Sequence, residues 1–131
     1  MNIFSNKKPI TRTQAIKARF GTVFIVDDKK VFNPKGKSKP RRVVVIGKKS
    51  GSLIVAPIRR CHPYSMELSN FDNERSIRLD KAVLITKNKV YSKNGFKNTQ
   101  NDFLTNHEKV LLKKKIIKLS KKRSRCIYVS Q

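Results

Sequence analysis

Two short apolar runs constrain this chain more than anything else in it: "RRVVVI" at 41–46 and "SLIVAPIRR" at 52–60, separated by "GKKSG". They are rich in β-branched residues and too short for ordinary helices, so they read as strands. The two glycines between them suit a tight hairpin turn. The first run opens on Arg41 and Arg42 and the second closes on Arg59 and Arg60, so antiparallel pairing carries both arginine pairs to the same end of the hairpin. Four clustered guanidinium groups repel one another unless an anion sits between them. The pattern therefore predicts strands that pack a core and arginines at their ends that bind phosphate.

The rest of the chain supplies elements to cover such a hairpin. "FGTVFIV", starting just before Gly21, alternates Val23 and Ile25 against Phe24 and Val26 and reads as a strand. "DDKKVFNPKGKSKP" carries Asn33-Pro34, Gly36 and Pro40 among five lysines and reads as a long exposed loop, whose Lys35, Lys37 and Lys39 are candidate nucleic-acid contacts. "YSMELS" sets Met66 and Leu68 on one face, and "SIRLDKAVLIT" does the same with Ile77 and Leu79, as one further strand. That makes about five strands. Near the C-terminus, Thr105 and Glu108 have capping-box spacing, and Leu112, Ile116 and Leu119 recur at helical intervals, so a helix with one buried face is expected. "TRTQAIKAR" suits a short helix or an ordered arm. The fold class expected is α+β, mainly β: a small, strongly bent sheet or barrel closed by a C-terminal helix. Residues 1–20 form a basic arm, 21–120 the body and 121–131 a basic tail.

Charge narrows the partner. With 32 Lys and Arg against 8 Asp and Glu in 131 residues, the formal charge is +24. Such an excess repels itself and points to an anionic partner, nucleic acid first. An anionic membrane surface is disfavoured because no stretch is sharply amphipathic, and no apolar run approaches the ~20 residues needed to span a bilayer. "MNIFSNKKPITRTQ" has no apolar segment of signal-peptide length, so a cytoplasmic protein is expected. Cys61 and Cys126 are isolated, without metal-ligand spacing, so neither a metal site nor any cofactor is expected. Lys113–Lys115 read either as a solvated helix face or as a nucleic-acid contact, and "KKRSR" at 121–125 as a phosphate-binding tail or a plain basic end.

The order "GTVFIVDD", basic loop, "KPRRVVVIG", "LIVAPIRR", "YSMELSN", "RSIRLDKAVLITKNKV", capped helix resembles the PemK/MazF toxins of toxin–antitoxin systems, over roughly residues 20 to 120. The resemblance implies an SH3-like barrel with a terminal helix, a homodimer, and a metal-independent endoribonuclease that cuts single-stranded RNA and is held inactive by a cognate antitoxin, expected to be acidic. It puts Arg41 on the family's catalytic arginine. Arg42 stands where that family has proline, and Arg59 and Arg60 stand where it has threonine and serine.

Those departures bear on the chemistry. Metal-free RNA cleavage needs a base for the 2′-hydroxyl, stabilisation of charge growing on phosphorus, and an acid for the leaving 5′-oxygen. Arginine suits the second task, through a planar fork that donates two bonds to phosphate oxygens. Arg41 is the candidate for it, and Arg59 would donate in place of the threonine hydroxyl. His62 would supply proton transfer near neutral pH, or is simply a loop histidine before Pro63. Two readings stand: a ribonuclease acting through Arg41, Arg59 and His62, and a catalytically inactive barrel that binds RNA or DNA as an accessory protein through Lys35, Lys37, Lys39, Arg41, Arg42, Arg59 and Arg60. A small basic ribosomal protein is a third, weaker reading.

Overall fold

The computed structural model describes Phe4 and residues 7–60, 65–67, 75–92 and 104–121, of which 60, 65–67, 75 and 119–121 are described in backbone only. The sequence expectations for Cys61, His62, Leu68 and the basic tail beyond 121 lie outside these residues.

The hairpin forms as expected, with a tighter turn. β2 (Pro40–Lys49) and β3 (Ser52–Arg60) pair antiparallel down to Lys49 with Ser52, which leaves Ser50-Gly51 as a two-residue loop. Both turn residues have positive φ, 53° and 80°, the twist that suits a right-handed β ribbon. Gly47 is not part of the turn: it follows a bulge, since Val45 faces Val55 and the next pair is Gly47 with Ile54. Ile46 is the extra residue, and it still reaches the core at 4% exposure.

β1 (Val23–Asp27) pairs antiparallel with β2, and Arg41 and Arg42 lie opposite Val26 and Ile25. Pro57 is the last residue of β3 to pair with β2. Proline has no N–H to extend a ladder, and from Ile58 onward β3 pairs with β5 (Arg75–Arg78) alone, which in turn pairs with β4 (Ser65–Glu67). The expected strand over "SIRLDKAVLIT" is broken in two. A 3-10 turn at Leu79–Lys81 interrupts it, and β6 (Val83–Ile85) resumes along the same edge of β3, opposite Leu53–Val55. Five strands thus make the path β1-β2-β3-β5-β4, and β6 joins β3 beside that path. The sheet is not closed. One isolated bridge, Ile25 with Tyr91, brings the chain beyond β6 against β1.

Both faces of the sheet are covered, which explains why β1 is buried along its whole length. On one face Val44, Ile46, Ile54, Ala56, Ile58 and Ile77 pack against Leu112 and Ile116 of α3 (Asn106–Lys121). Leu112 is fully buried, so Leu112→Ala should cost about 2–5 kcal/mol. The helix opens on the expected capping box: Glu108 N donates to Thr105 Oγ1 and Thr105 N to Glu108 Oε1, each at 3.1 Å. On the other face Val43, Val45, Leu53 and Val55 meet Ile10, Ala15 and Ala18 around α1 (Arg12–Lys17). The first helix has its own capping box, Thr11 with Gln14. Residues 7–20 therefore contribute apolar side chains to the core and do not serve only as a basic arm. Gly21 joins this segment to β1 at φ +90°, a left-handed backbone that calls for glycine, whereas the Lys109 side chain 2.8 Å from a Cβ there is flexible enough to move.

Candidate nucleic-acid interface

The stretch expected as an exposed loop begins with buried structure. Asp27 closes β1 at 3% exposure and caps α2 (Asp28–Val31), accepting from Lys29 N at 3.1 Å and from Ser38 Oγ at 2.9 Å. Asp28 is 1% exposed. Its backbone is fixed from both sides: its N–H donates to Lys39 O, and its carbonyl accepts from Phe32 and Asn33 N. "DDKKV" is a strand end and a single helical turn that already exposes Lys29 and Lys30, and the irregular loop starts only at Asn33.

Strand alternation then decides which arginines meet. Arg41 shares the face of Val43 and Val45, whereas Arg42 falls on the opposite face of β2. Arg59 is on the same face of the sheet as Arg41, just past Pro57 where β2 and β3 part. Here the apolar surface under α1 gives way to α2, whose Val31, with Phe32 just after it, packs at its margin. Arg41 Nε donates to Asp28 Oδ1 at 3.1 Å and its Nη1 to Ile58 O at 3.3 Å. Arg59 Nη2 donates to the same Asp28 oxygen at 3.0 Å. The Arg59 guanidinium carbon lies 5.3 Å from the Phe32 ring centroid, within cation–π range. Arg59 Nε is buried and has no hydrogen-bond partner. Arg60 follows in the β3 backbone.

The electrostatics follow from this crowding. Burial lowers the Arg59 pKa below the ordinary arginine value and the Arg41 charge lowers it further; Asp28 opposes the shift and Arg78 adds to it. Arg78, on the neighbouring strand β5, forms a two-pronged ion pair with Asp80, and that hydrogen bonding raises its own pKa. Among the described side chains, three arginines at this corner face two carboxylates. One positive charge is left over, on a side chain that stays 26% exposed in the case of Arg59. An anion with several acceptor oxygens fits such a corner.

Lys35, Lys37 and Lys39 are exposed. Lys37 lines an open cavity of about 930 Å³ with Lys29, Lys30 and Lys89, while Asp27 and Ser38 contribute to its wall. Lys89 comes from a 3-10 turn at Lys87–Lys89, far along the chain, and nothing in the local sequence pairs it with the loop. Asp28 was equally hard to foresee, although an Asp directly before "DKKV" is an N-cap signal. Lys113 on α3 is exposed and its Nζ lies 5.1 Å from the Phe20 ring centroid. Among the described residues no group of three or more His, Cys, Asp or Glu could hold a metal ion, and no helix is long and apolar enough to cross a membrane.

Comparison with known proteins finds no matching family model, no matching characterised protein and no matching solved structure.

Proposed function

We propose that this chain is a PemK/MazF-like endoribonuclease that binds single-stranded RNA at the Arg41–Arg59 corner and cleaves it without a metal. The observation that carries this reading is the convergence of two guanidinium groups, from the ends of adjacent strands, on one carboxylate oxygen. Arginines held this way are preorganised for an anion, and a preorganised donor acting on charge that develops in a transition state typically contributes about 10²–10³ in rate. Arg41 takes the role of phosphate and transition-state group; Arg59 holds the same phosphate where the family uses a threonine hydroxyl. His62, three residues beyond Arg59, supplies the proton transfers that arginine performs poorly. In this reading the open sheet is that of an SH3-like barrel, supported by the 3-10 turn and the Ile25–Tyr91 bridge that return the chain to β1. The protein acts in the cytoplasm as a homodimer, and an acidic antitoxin neutralises it, its charge speeding association with a +24 chain.

The test is a defined RNA incubated with pure protein in EDTA. Wild type cuts it, and Arg41→Ala abolishes cutting while weakening binding far less, because one contact among many carries only a share of the ground-state affinity. Intact RNA under every ionic condition, together with no growth defect on expression alone, would remove the ribonuclease reading. The second reading, a binding accessory protein for RNA or DNA, is favoured by one observation: Arg59 replaces the family's hydroxyl and brings a second full charge to the site.

A further inference from the structure

Among the described residues Asp28 is the acidic group that bonds both Arg41 and Arg59, and it is almost completely shielded from water, with a side chain 2% exposed. Its position does not depend on the arginines, because its amide and carbonyl are held by Lys39, Phe32 and Asn33. The arginines, by contrast, depend on it. Arg41 reaches it through Nε, which fixes the plane of that guanidinium, and a second bond from Nη1 to Ile58 O fixes its tilt. Arg59 reaches the same oxygen through Nη2 and rests near the Phe32 ring. Each side chain uses one edge on Asp28, and the Arg41 and Arg59 charges, which otherwise repel, are tied through one atom. We infer that Asp28 is the positioning residue of this site, locking Arg41 and Arg59 into a single phosphate-binding unit whose remaining N–H groups point away from the carboxylate.

This inference rests on reading the corner as a phosphate site, and it has a consequence that a merely structural aspartate would not have. Two groups that share one carboxylate oxygen as a unit are non-additive: once one arginine is gone, the other is free to close bidentate on Asp28 and no longer presents its N–H groups to phosphate, so removing it as well matters little. Groups that act independently multiply their effects.

The experiment uses the full chain and a short single-stranded RNA as probe. Dissociation constants are measured for Arg41→Ala, Arg59→Ala and the double variant, with Asp28 present and in an Asp28→Asn background. With Asp28, the double variant should bind better than the product of the single losses predicts, by about five-fold. With Asp28→Asn the losses should simply multiply. Multiplication in both backgrounds overturns the inference, and so does tighter RNA binding by Asp28→Asn with the coupling intact, which would make Asp28 a competing anion. A second measurement needs neither RNA nor that variant. In the wild type, Arg59→Ala should shift the Arg41 Nε–H resonance and speed its exchange with water; an unmoved resonance overturns the inference even if Asp28→Asn does not fold. Should the RNA not bind at all, the phosphate reading fails, while the Arg41 resonance still decides whether Asp28 couples the pair.

Discussion

Arg41 and Arg59, on neighbouring strands, donate to the same oxygen of Asp28, at 3.1 and 3.0 Å. A single carboxylate offsets only one of two positive charges, so the trio keeps one net positive charge. Arg41 and Arg59 thus have a partner already within the fold, and both side chains remain partly exposed.

Removing that partner should be costly. Asp28→Ala leaves two partly buried guanidinium groups facing each other, and breaking a buried ion pair on one side typically costs about 3–5 kcal/mol. Arg59→Met should cost less, because Asp28 keeps Arg41 and the lowered Arg59 pKa marks a cation that burial already disfavours. Urea unfolding at neutral pH measures both. An Asp28→Ala loss below about 1 kcal/mol would place the cluster among surface ion pairs.

Nucleic-acid affinity should fall steeply with salt, since each neutralised phosphate of a single strand contributes a slope of about +0.7 in log Kd against log salt. Arg59→Ala and a combined Lys37→Ala, Lys89→Ala variant should each flatten that slope, by about one and two contacts. Lys89 is the sharper case, because only the fold brings it to the cavity of Lys29, Lys30 and Lys37. Titrations at several salt concentrations test this, and an affinity that ignores salt would exclude an electrostatic interface.

What the sequence made legible was local or periodic. The β2–β3 hairpin announced itself through β-branched runs and glycines, and α3 through the Thr105 and Glu108 box and the spacing of Leu112 and Ile116. The expectation of a single strand over 76–86 did not hold, because Leu79 is buried both in a strand and in a 3-10 turn, so an apolar pattern cannot reveal the break. Asp28 was hidden for a different reason. An acidic pair followed by lysines, proline and glycine reads as solvated loop, and only the register that sets Val26 against Arg41 and Asp27 against Pro40 brings Asp28, just past the end of β1, to the arginines.

The hairpin turn offers a test of backbone strain without side-chain contacts. A Cβ at Gly51 meets nothing within 4 Å, yet its φ is +80°, so Gly51→Ala should destabilise through the left-handed conformation alone, by about 1 kcal/mol. Ser50 sits at φ 53°, and Ser50→Asn should stabilise slightly, since asparagine tolerates that region better. Thermal unfolding of the two variants should move in opposite directions.

The cap of α3 links the helix to the core it covers. Thr105→Ala removes the acceptor for Glu108 N and should cost about 1 kcal/mol. The effect should exceed that of Thr11→Ala on the six-residue α1, whose box is exposed and whose helix buries little. Equal losses in urea unfolding would mean that the packing of Leu112 and Ile116 does not depend on the cap.

The pH response separates the arginines from a group that titrates near neutrality. Burial, then Arg41, lowers the Arg59 pKa, and Arg78 lowers it further against the opposing pull of Asp28. A cation whose native pKa lies below its unfolded one opposes folding while protonated, and that penalty is relieved only as pH rises from the lowered value toward the ordinary arginine value. The ordinary arginine value lies far above neutrality, so the expectation is that the Arg59 share of RNA affinity is flat between about pH 6 and 8. Cleavage should behave differently if His62 transfers the proton: its rate should then show a limb near pH 6.5, the ordinary histidine range, with no matching limb in affinity. His62→Ala should remove that limb and leave the dissociation constant unchanged. A rate and an affinity that rise and fall together over this range would instead tie the pH response to binding and take His62 out of the chemistry.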